Sequence, residues 1–295
     1  MFSDTLIGTA RTDGSAAFTG MARSSELVGT LKHLVPDYGG SYTLPTALIP
    51  DSSNSTGVWE TAATYTAGRN QLVFVNEFTG PTGILTMSST GKSGIAVLSA
   101  AGGLPTFRSV TLIPTDNDTQ WGSAIVQSRS FLYVYGAVMD RAAGHGVLGM
   151  KVARVPALRS LDVTSWRYWN GSVWLRGETN ATVIETVNQL TGVMPNPDKR
   201  GFIGVSTPSG VLYDKTIDLS YAASPTGPWS TPKPVYTIPE LQQYAGEFAY
   251  IPTFHPELSN SDDLVVSYNL DTTVGFSQLL SDIHSYQPRF VLIRG

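Results

Sequence analysis

The chain has 295 residues, 41% of them hydrophobic and only 14% charged, with a formal net charge of −4. The mild negative balance, without a Lys/Arg cluster, argues against nucleic acid and anionic membrane as partners. With no Cys, it has no disulfide, no thiolate metal site and no Cys nucleophile.

Gly (29) and Pro (18) are plentiful, and so are Trp (6) and Tyr (13). That profile, with few charges, predicts an all-β protein of many short strands and tight turns. The four His, at 33, 145, 255 and 284, show no metal-ligand spacing. No cofactor or metal is therefore expected. No run of eighteen apolar residues occurs, so no membrane insertion is expected, and no signal peptide is read.

In chain order, the pattern is period-two alternation broken by Gly, Pro, Asn and Asp. The opening "FSDTLIG" already reads as a strand. It starts the stretch "FSDTLIGTARTDGSAAFTGMARSSELVGTLKHLVP", which resembles the back three-quarters of a repeat unit. The next copy runs from "VWETAATYTAGRNQLVFVNEF" through "SGIAVLSAAGGLPTFRSVTLIP". A third runs from "WGSAIVQSRSFLYVYGAVMD" through "GVLGMKVARVPALRSLDVTSWRYWNGSVW". A fourth runs from "ETVNQLTGVMPNPDKRGFIGVST" through "DKTIDLSYAASPTGPWSTPKPVYTIP". After "PELQQYAGEF", which has room for one short helical turn, "FAYIPTFHPELSNSDDLVVSYNLDTT…YQPRFVLIRG" forms the last.

Five units of about sixty residues predict a single five-bladed β-propeller over residues 1–295, its first blade lacking the leading strand.

Six phrases carry a family resemblance: "FSDTLIG", "QWGSAIV…FLYVYG", "KVARVP…WRYWNGSVW", "SPTGPWSTPKPVY", "FHPELS…LVVSYN" and "YQPRF". In this order they resemble glycoside hydrolase family 183, whose characterised members are endo-D-arabinanases of mycobacterial cell-wall arabinan. The resemblance implies a secreted enzyme acting on an arabinan-type polysaccharide in an open groove. It also implies a catalytic Asp in an FGDT motif, which falls on Asp4, with Ser3 where the motif has Gly. A second family Asp lies upstream in a Thr-Asp-Leu-Gly stretch, and no residue precedes Met1 to carry it. Little activity is therefore expected of this chain as written.

Glycoside hydrolysis uses two carboxyl groups, so a partner for Asp4 is needed. Glu60 opens the inner strand of its unit and is the second catalytic candidate. The alternative for it is an exposed edge Glu, and for Asp4 a turn cap. Glu185, Glu247 and Glu257 also flank inner strands, and Glu185 is assigned to substrate binding. Trp59 and Trp121, with Gln120, also open inner strands and are expected to floor a sugar subsite. Tyr250, His255 and Asn269 of the last unit are further substrate-binding candidates. Trp166, Trp169, Trp174 and Trp229 sit late in their units and are assigned to packing between sheets. The acidic runs "DNDT" and "SDD" read as solvated turns. Two other functions remain open: a non-catalytic glycan-binding propeller, and a furanosidase acting on another polymer.

Overall fold

The computed structural model describes residues 2–25, 27–30, 33–36, 47–53, 55–80, 88–99, 105–113, 115, 118–140, 146–184, 189–198, 200–208, 215–243, 246–260 and 262–294. The fold is all-β, arranged as a propeller, with two short α-helices among the described residues. Two antiparallel ribbons come first: β1 (Phe2–Ala10) with β2 (Ala16–Ser25), and β3 (Leu27–Thr30) with β4 (His33–Pro36).

Four blades follow. The first is β5 (Thr56–Ala67), β6 (Asn70–Thr79), β7 (Ser88–Ser99) and β8 (Thr106–Ile113). The second has five strands: β9 (Thr119–Ser128), β10 (Phe131–Asp140), β11 (Gly146–Pro156), β12 (Arg167–Trp169) and β13 (Trp174–Leu175). The third is β14 (Leu190–Pro195), β15 (Phe202–Ser206), β16 (Thr216–Ala222) and β17 (Lys233–Thr237). The fourth is β18 (Glu247–Phe254), β19 (Asp263–Thr272) and β20 (Pro288–Arg294). The short turn expected near 239–248 is α1 (Glu240–Gln243), and α2 (Phe276–Ser281) follows β19.

The expected number of blades is corrected. Among the described residues there are four blade sheets, not five, because the amino-terminal stretch pairs as two separate two-stranded ribbons. Strands β1 and β2 lie beside β5 instead of extending a blade of their own.

The blades stack through four apolar layers. Val73, Val75, Ala96 and Leu98 of the first blade pack on Ile49. Its opposite face, with Leu72, Phe74, Ile95 and Val97, meets Trp121, Leu132, Val134, Trp166 and Tyr168 of the second. Val126, Tyr135 and Val152 of the second meet Leu190, Val193 and Trp229 of the third. Ile203, Val205, Ile217 and Leu219 of the third meet Ala249, Phe254, Val266 and Tyr268 of the fourth. Each sheet is thus covered on a face by its neighbour, as alternating strands require. Trp166 and Trp229 are buried between sheets and Trp169 and Trp174 pack partly buried against one, as the sequence predicts.

Every inner strand has a bulge. Pairing shifts between Glu60 and Thr64, between Trp121 and Ala124, between Leu190 and Gly192, and between Tyr250 and Thr253. A bulge leaves a partner-strand carbonyl without its ladder donor, and a buried carbonyl needs one. In three blades a hydroxyl inside the bulge supplies it: Thr61 donates to the Phe74 carbonyl at 3.2 Å, Ser123 to Tyr135 at 3.3 Å and Thr191 to Val205 at 3.4 Å. The bulges also tie the third blade to the fourth. Thr191 donates to the Pro252 carbonyl, and Thr253 donates to the Thr191 carbonyl at 3.2 Å.

Two glycines make this geometry possible. Gly122 sits in the second bulge at φ +93°, and a Cβ there would lie 2.4 Å from Cβ of Phe74. At Gly136, opposite Trp121, a Cβ would come within 2.8 Å of the indole ring.

Candidate functional site

The inner strands β5, β9, β14 and β18 lie side by side, and the bulge of β14 touches that of β18. Before the bulges of β5 and β18 the chain places carboxylates and aromatic rings. Glu60 is the fifth residue of β5, pairs with Val75 beside the bulge, and is only 8% exposed. It is therefore not an exposed edge residue. Trp59, its neighbour, pairs with Asn76 and points to the other face of the sheet. The Trp59 ring is half-buried against Phe78, with centroids 3.9 Å apart and planes tilted by 41°.

Trp59 and Gln120 border one wedge between the first two blades. A chain of hydrogen bonds spans it. Gln120 Nε2 donates to Ser89 Oγ at 3.3 Å, the Trp121 N–H donates to Ser93 Oγ at 2.9 Å, and Ser93 Oγ donates to Asn76 Oδ1 at 3.0 Å.

The expectation for Trp121 is overturned. It is fully buried, its ring edge-on to Tyr168 at 5.4 Å, so it cannot floor a sugar subsite. The cause is Gly136, whose missing side chain lets the indole lie flat across the next strand. The indole Nε1 then donates to Glu178 Oε1 at 3.3 Å.

Glu178 belongs to a buried polar cluster that strand patterning did not single out. Lys151 Nζ lies 3.9 Å from Glu178 Oε1 and donates to Thr119 Oγ1 at 3.1 Å. Lys151 reaches Thr119 across β10 because Gly136, its partner in register, leaves the way clear. Burial, reinforced by the Glu178 charge, pushes the Tyr168 hydroxyl well above its ordinary range. The sequence signal for the cluster was a lone Lys inside an apolar strand, "GMKVARV".

The fourth blade supplies a second group near the start of β18. Glu247 is the first residue of that strand. Its Oε1 accepts from Ser285 Oγ at 2.7 Å, while its buried Oε2 makes no hydrogen bond among the described residues. Tyr250 stands directly opposite Asn269, and Phe248 opposite Asp271, so all four share one face. The Tyr250 and Phe248 rings are 5.7 Å apart. Burial raises the Asp271 carboxyl above its usual range, against a lowering hydrogen bond from the Thr272 N–H at 2.6 Å.

His255 falls elsewhere. It follows the last residue of β18, eight residues from Glu247 and so about 25 Å along an extended strand. It lies away from Glu247, and its ring meets Ser267, two residues along β19 from Asn269 on the same face. Its ring nitrogens are engaged locally, with Glu257 and Ser267. Asp4 is the third residue of β1, whose backbone lies beside β5, and its side chain is outside the described residues. Glu185 also lies outside the described residues.

Among the described residues no group of three or more His, Asp or Glu is placed to hold a metal ion. No described helix is long and apolar enough to cross a membrane.

The whole chain, residues 1–295, matches the profile of one family, described as Domain of unknown function (DUF5005). The chain belongs to DUF5005. The likeness of this DUF5005 chain to glycoside hydrolase family 183 rests on the six motifs alone. No curated protein matches it.

Solved structures do. A Bacteroides ovatus protein, provisionally described as a hydrolase, superposes with a TM-score of 0.73 at 16% identity, covering 99% of this chain and 81% of its own. An exo-β-1,3-galactanase from Phanerochaete chrysosporium, solved with galactose, gives 0.55 at 11% identity, covering 99% of this chain and 59% of its own. A structure described as a glycoside hydrolase gives 0.51 at 11%, covering 83% and 72%. At these identities the likeness is one of fold.

Proposed function

We propose that this DUF5005 chain is a glycoside hydrolase that cuts furanosidic linkages inside a glycan, as the endo-D-arabinanases of family 183 do. The observation that carries the reading is Glu60, a carboxyl held almost out of water on an inner strand beside the bulge. A carboxyl shielded from water beside a bulge is a candidate for acid–base chemistry. The motif order and the glycan-active proteins that share the fold support the same reading.

Two carboxyl groups act in such a reaction. One gives its proton to the leaving glycosidic oxygen, and the other stabilises or attacks the positive anomeric carbon, or deprotonates the incoming water. In this reading Glu60 and Asp4 form the pair, and Trp59 and Gln120 contact the sugar. With an outer-surface polymer as substrate, the protein would act outside the cell.

The test is incubation of the purified chain with mycobacterial arabinogalactan, with chromatography of the released oligosaccharides. Oligosaccharide release that Glu60→Gln abolishes supports the reading. Release unchanged in that variant removes Glu60 from the mechanism.

A second reading is glycan binding without cleavage. It is favoured by Trp59 and Glu60 pointing to opposite faces of β5. Retention on immobilised arabinan without product release, equally strong in Glu60→Gln, would select it.

A further inference from the structure

A second constellation lies at the far end of β18. Ser267 Oγ is 2.8 Å from His255 Nε2, and His255 Nδ1 is 3.0 Å from Glu257 Oε1. We propose that Ser267, His255 and Glu257 are the nucleophile, base and orienting carboxylate of an acyl-transfer site that hydrolyses short-chain esters.

The direction of the hydrogen bonds fits the chemistry. Burial alone would raise the Glu257 carboxyl, but the His255 hydrogen bond and the backbone hold it below its ordinary range. An ionised carboxylate only accepts, so in the tautomer that suits it the His255 proton sits on Nδ1, facing Glu257. Nε2 is then left as an acceptor, and Ser267 O–H donates to it. That is the arrangement of a general base poised on a hydroxyl.

The imidazole is fixed from several sides. Its ring packs on Phe290 with centroids 5.1 Å apart, and the His255 N–H donates to the Val265 carbonyl at 2.9 Å. Ser259 Oγ donates to the His255 carbonyl at 2.7 Å.

The site is also reachable. The His255 side chain is 22% exposed and that of Glu257 65%. A hydrogen-bond network that served only the core would be closed to solvent. Ser267 and Phe290 are paired in register, as are Val265 and Leu292, so Phe290 and Leu292 flank the hydroxyl on its own face. Leu292 is 58% exposed and Leu258 38%, and the Leu258 N–H donates to the His255 carbonyl, so apolar surface is offered beside the pair. Asn269, two residues along β19 on the same face, brings an amide donor of the kind that stabilises an oxyanion.

In the reaction, Ser267 Oγ bonds to the ester carbonyl carbon as its proton passes to His255 Nε2. The tetrahedral oxyanion collapses, the C–O bond to the alcohol breaks, and the alcohol leaves with the proton from Nε2. Water then attacks the acyl-serine through the same base, releasing the carboxylic acid and restoring the Ser267 hydroxyl.

The experiment uses the purified chain with p-nitrophenyl acetate and with a fluorophosphonate probe, the labelled residue being located by peptide mass spectrometry. The expected result is a phosphonyl adduct on Ser267 and ester turnover that Ser267→Ala reduces at least 100-fold. Glu257→Gln, at an exposed position that leaves folding intact, should slow labelling at least tenfold with an unchanged melting curve. Glu60→Gln, which belongs to the glycosidic reading, should label at the wild-type rate, so the two proposals fail separately. Absence of label on Ser267 under conditions that modify a control serine hydrolase overturns the proposal. So does ester turnover that survives in both Ser267→Ala and Glu257→Gln.

Discussion

Replacing Lys151 by Met tests the buried cluster in the wedge between the first two blades. The Lys151 and Glu178 side chains are 12% and 6% exposed, with the ammonium 3.9 Å from the carboxylate. Met matches the length of the Lys stem, so packing against Gly136 is kept and only the charge and its hydrogen bond to Thr119 are lost. A buried carboxylate robbed of its cation costs about 3–5 kcal/mol. With unfolding entropy near 2.1 cal/mol/K per residue, a chain of 295 residues loses about 5–8 °C of melting temperature. The double variant Lys151→Met with Glu178→Gln removes both charges, yet the Gln oxygen still accepts from the Trp121 indole. It should recover most of the loss, giving a coupling of about 2 kcal/mol or more in a double-mutant cycle. Urea denaturation of the four proteins measures it. A Lys151→Met cost under about 1 kcal/mol, or losses that simply add in the double variant, would refute the claim that the pair acts as a unit.

Three further outcomes follow from the inner strands and the third blade. Gly122→Ala forces a side chain into the left-handed region and against Phe74, so about 2–5 kcal/mol should be lost in chemical denaturation, and a loss under 1 would contradict the geometry. Thr191→Val removes the hydroxyl that serves the Val205 and Pro252 carbonyls and should cost about 1–3 kcal/mol, where an unchanged midpoint would count against it. Burial raises the Asp218 carboxyl despite a hydrogen bond from Thr216 Oγ1 at 2.9 Å. A raised carboxyl favours the fold while protonated and loses that contribution as pH climbs past the folded value. Asp218→Asn should therefore raise the melting temperature at pH 7, with the gain fading as pH falls through the raised folded value and gone below the ordinary carboxylate range; a gain independent of pH would rule out ionisation as its source.

The strands themselves were legible, because period-two alternation ending in Gly, Pro and Asn is a local property of the chain. The repeat was legible too, down to the late Trp residues that pack between sheets. The blade count was not. Whether the amino-terminal hairpins join into one sheet depends on pairing across residues far apart in sequence, and alternation is silent about partners. Trp121 was misassigned for a related reason. A Trp at a strand opening can face solvent or the neighbouring blade, and Gly136, fifteen positions away in the chain, decided it. His255 was grouped with Tyr250 and Asn269, and its ring meets Ser267, two residues from Asn269, while the length of β18 separates it from Glu247. Glu178 escaped notice because it lies in a short 3-10 turn beyond the repeat pattern, and its role exists only through Lys151 and Trp121.

The bulges have a consequence for how these strands tolerate change. In β14 and β18 the bulge adds one residue and is a phase slip: residues before it and after it obey opposite parity rules, whereas in β5 and β9 it adds two and the parity is kept. A one-residue deletion outside a bulge would turn half a strand inside out, exchanging apolar and polar faces. The same deletion inside the β14 bulge would be absorbed by the ladder at the expense of the Thr191 hydroxyl. Length variation in this scaffold should therefore be permitted at the slip and forbidden a few residues to either side of it.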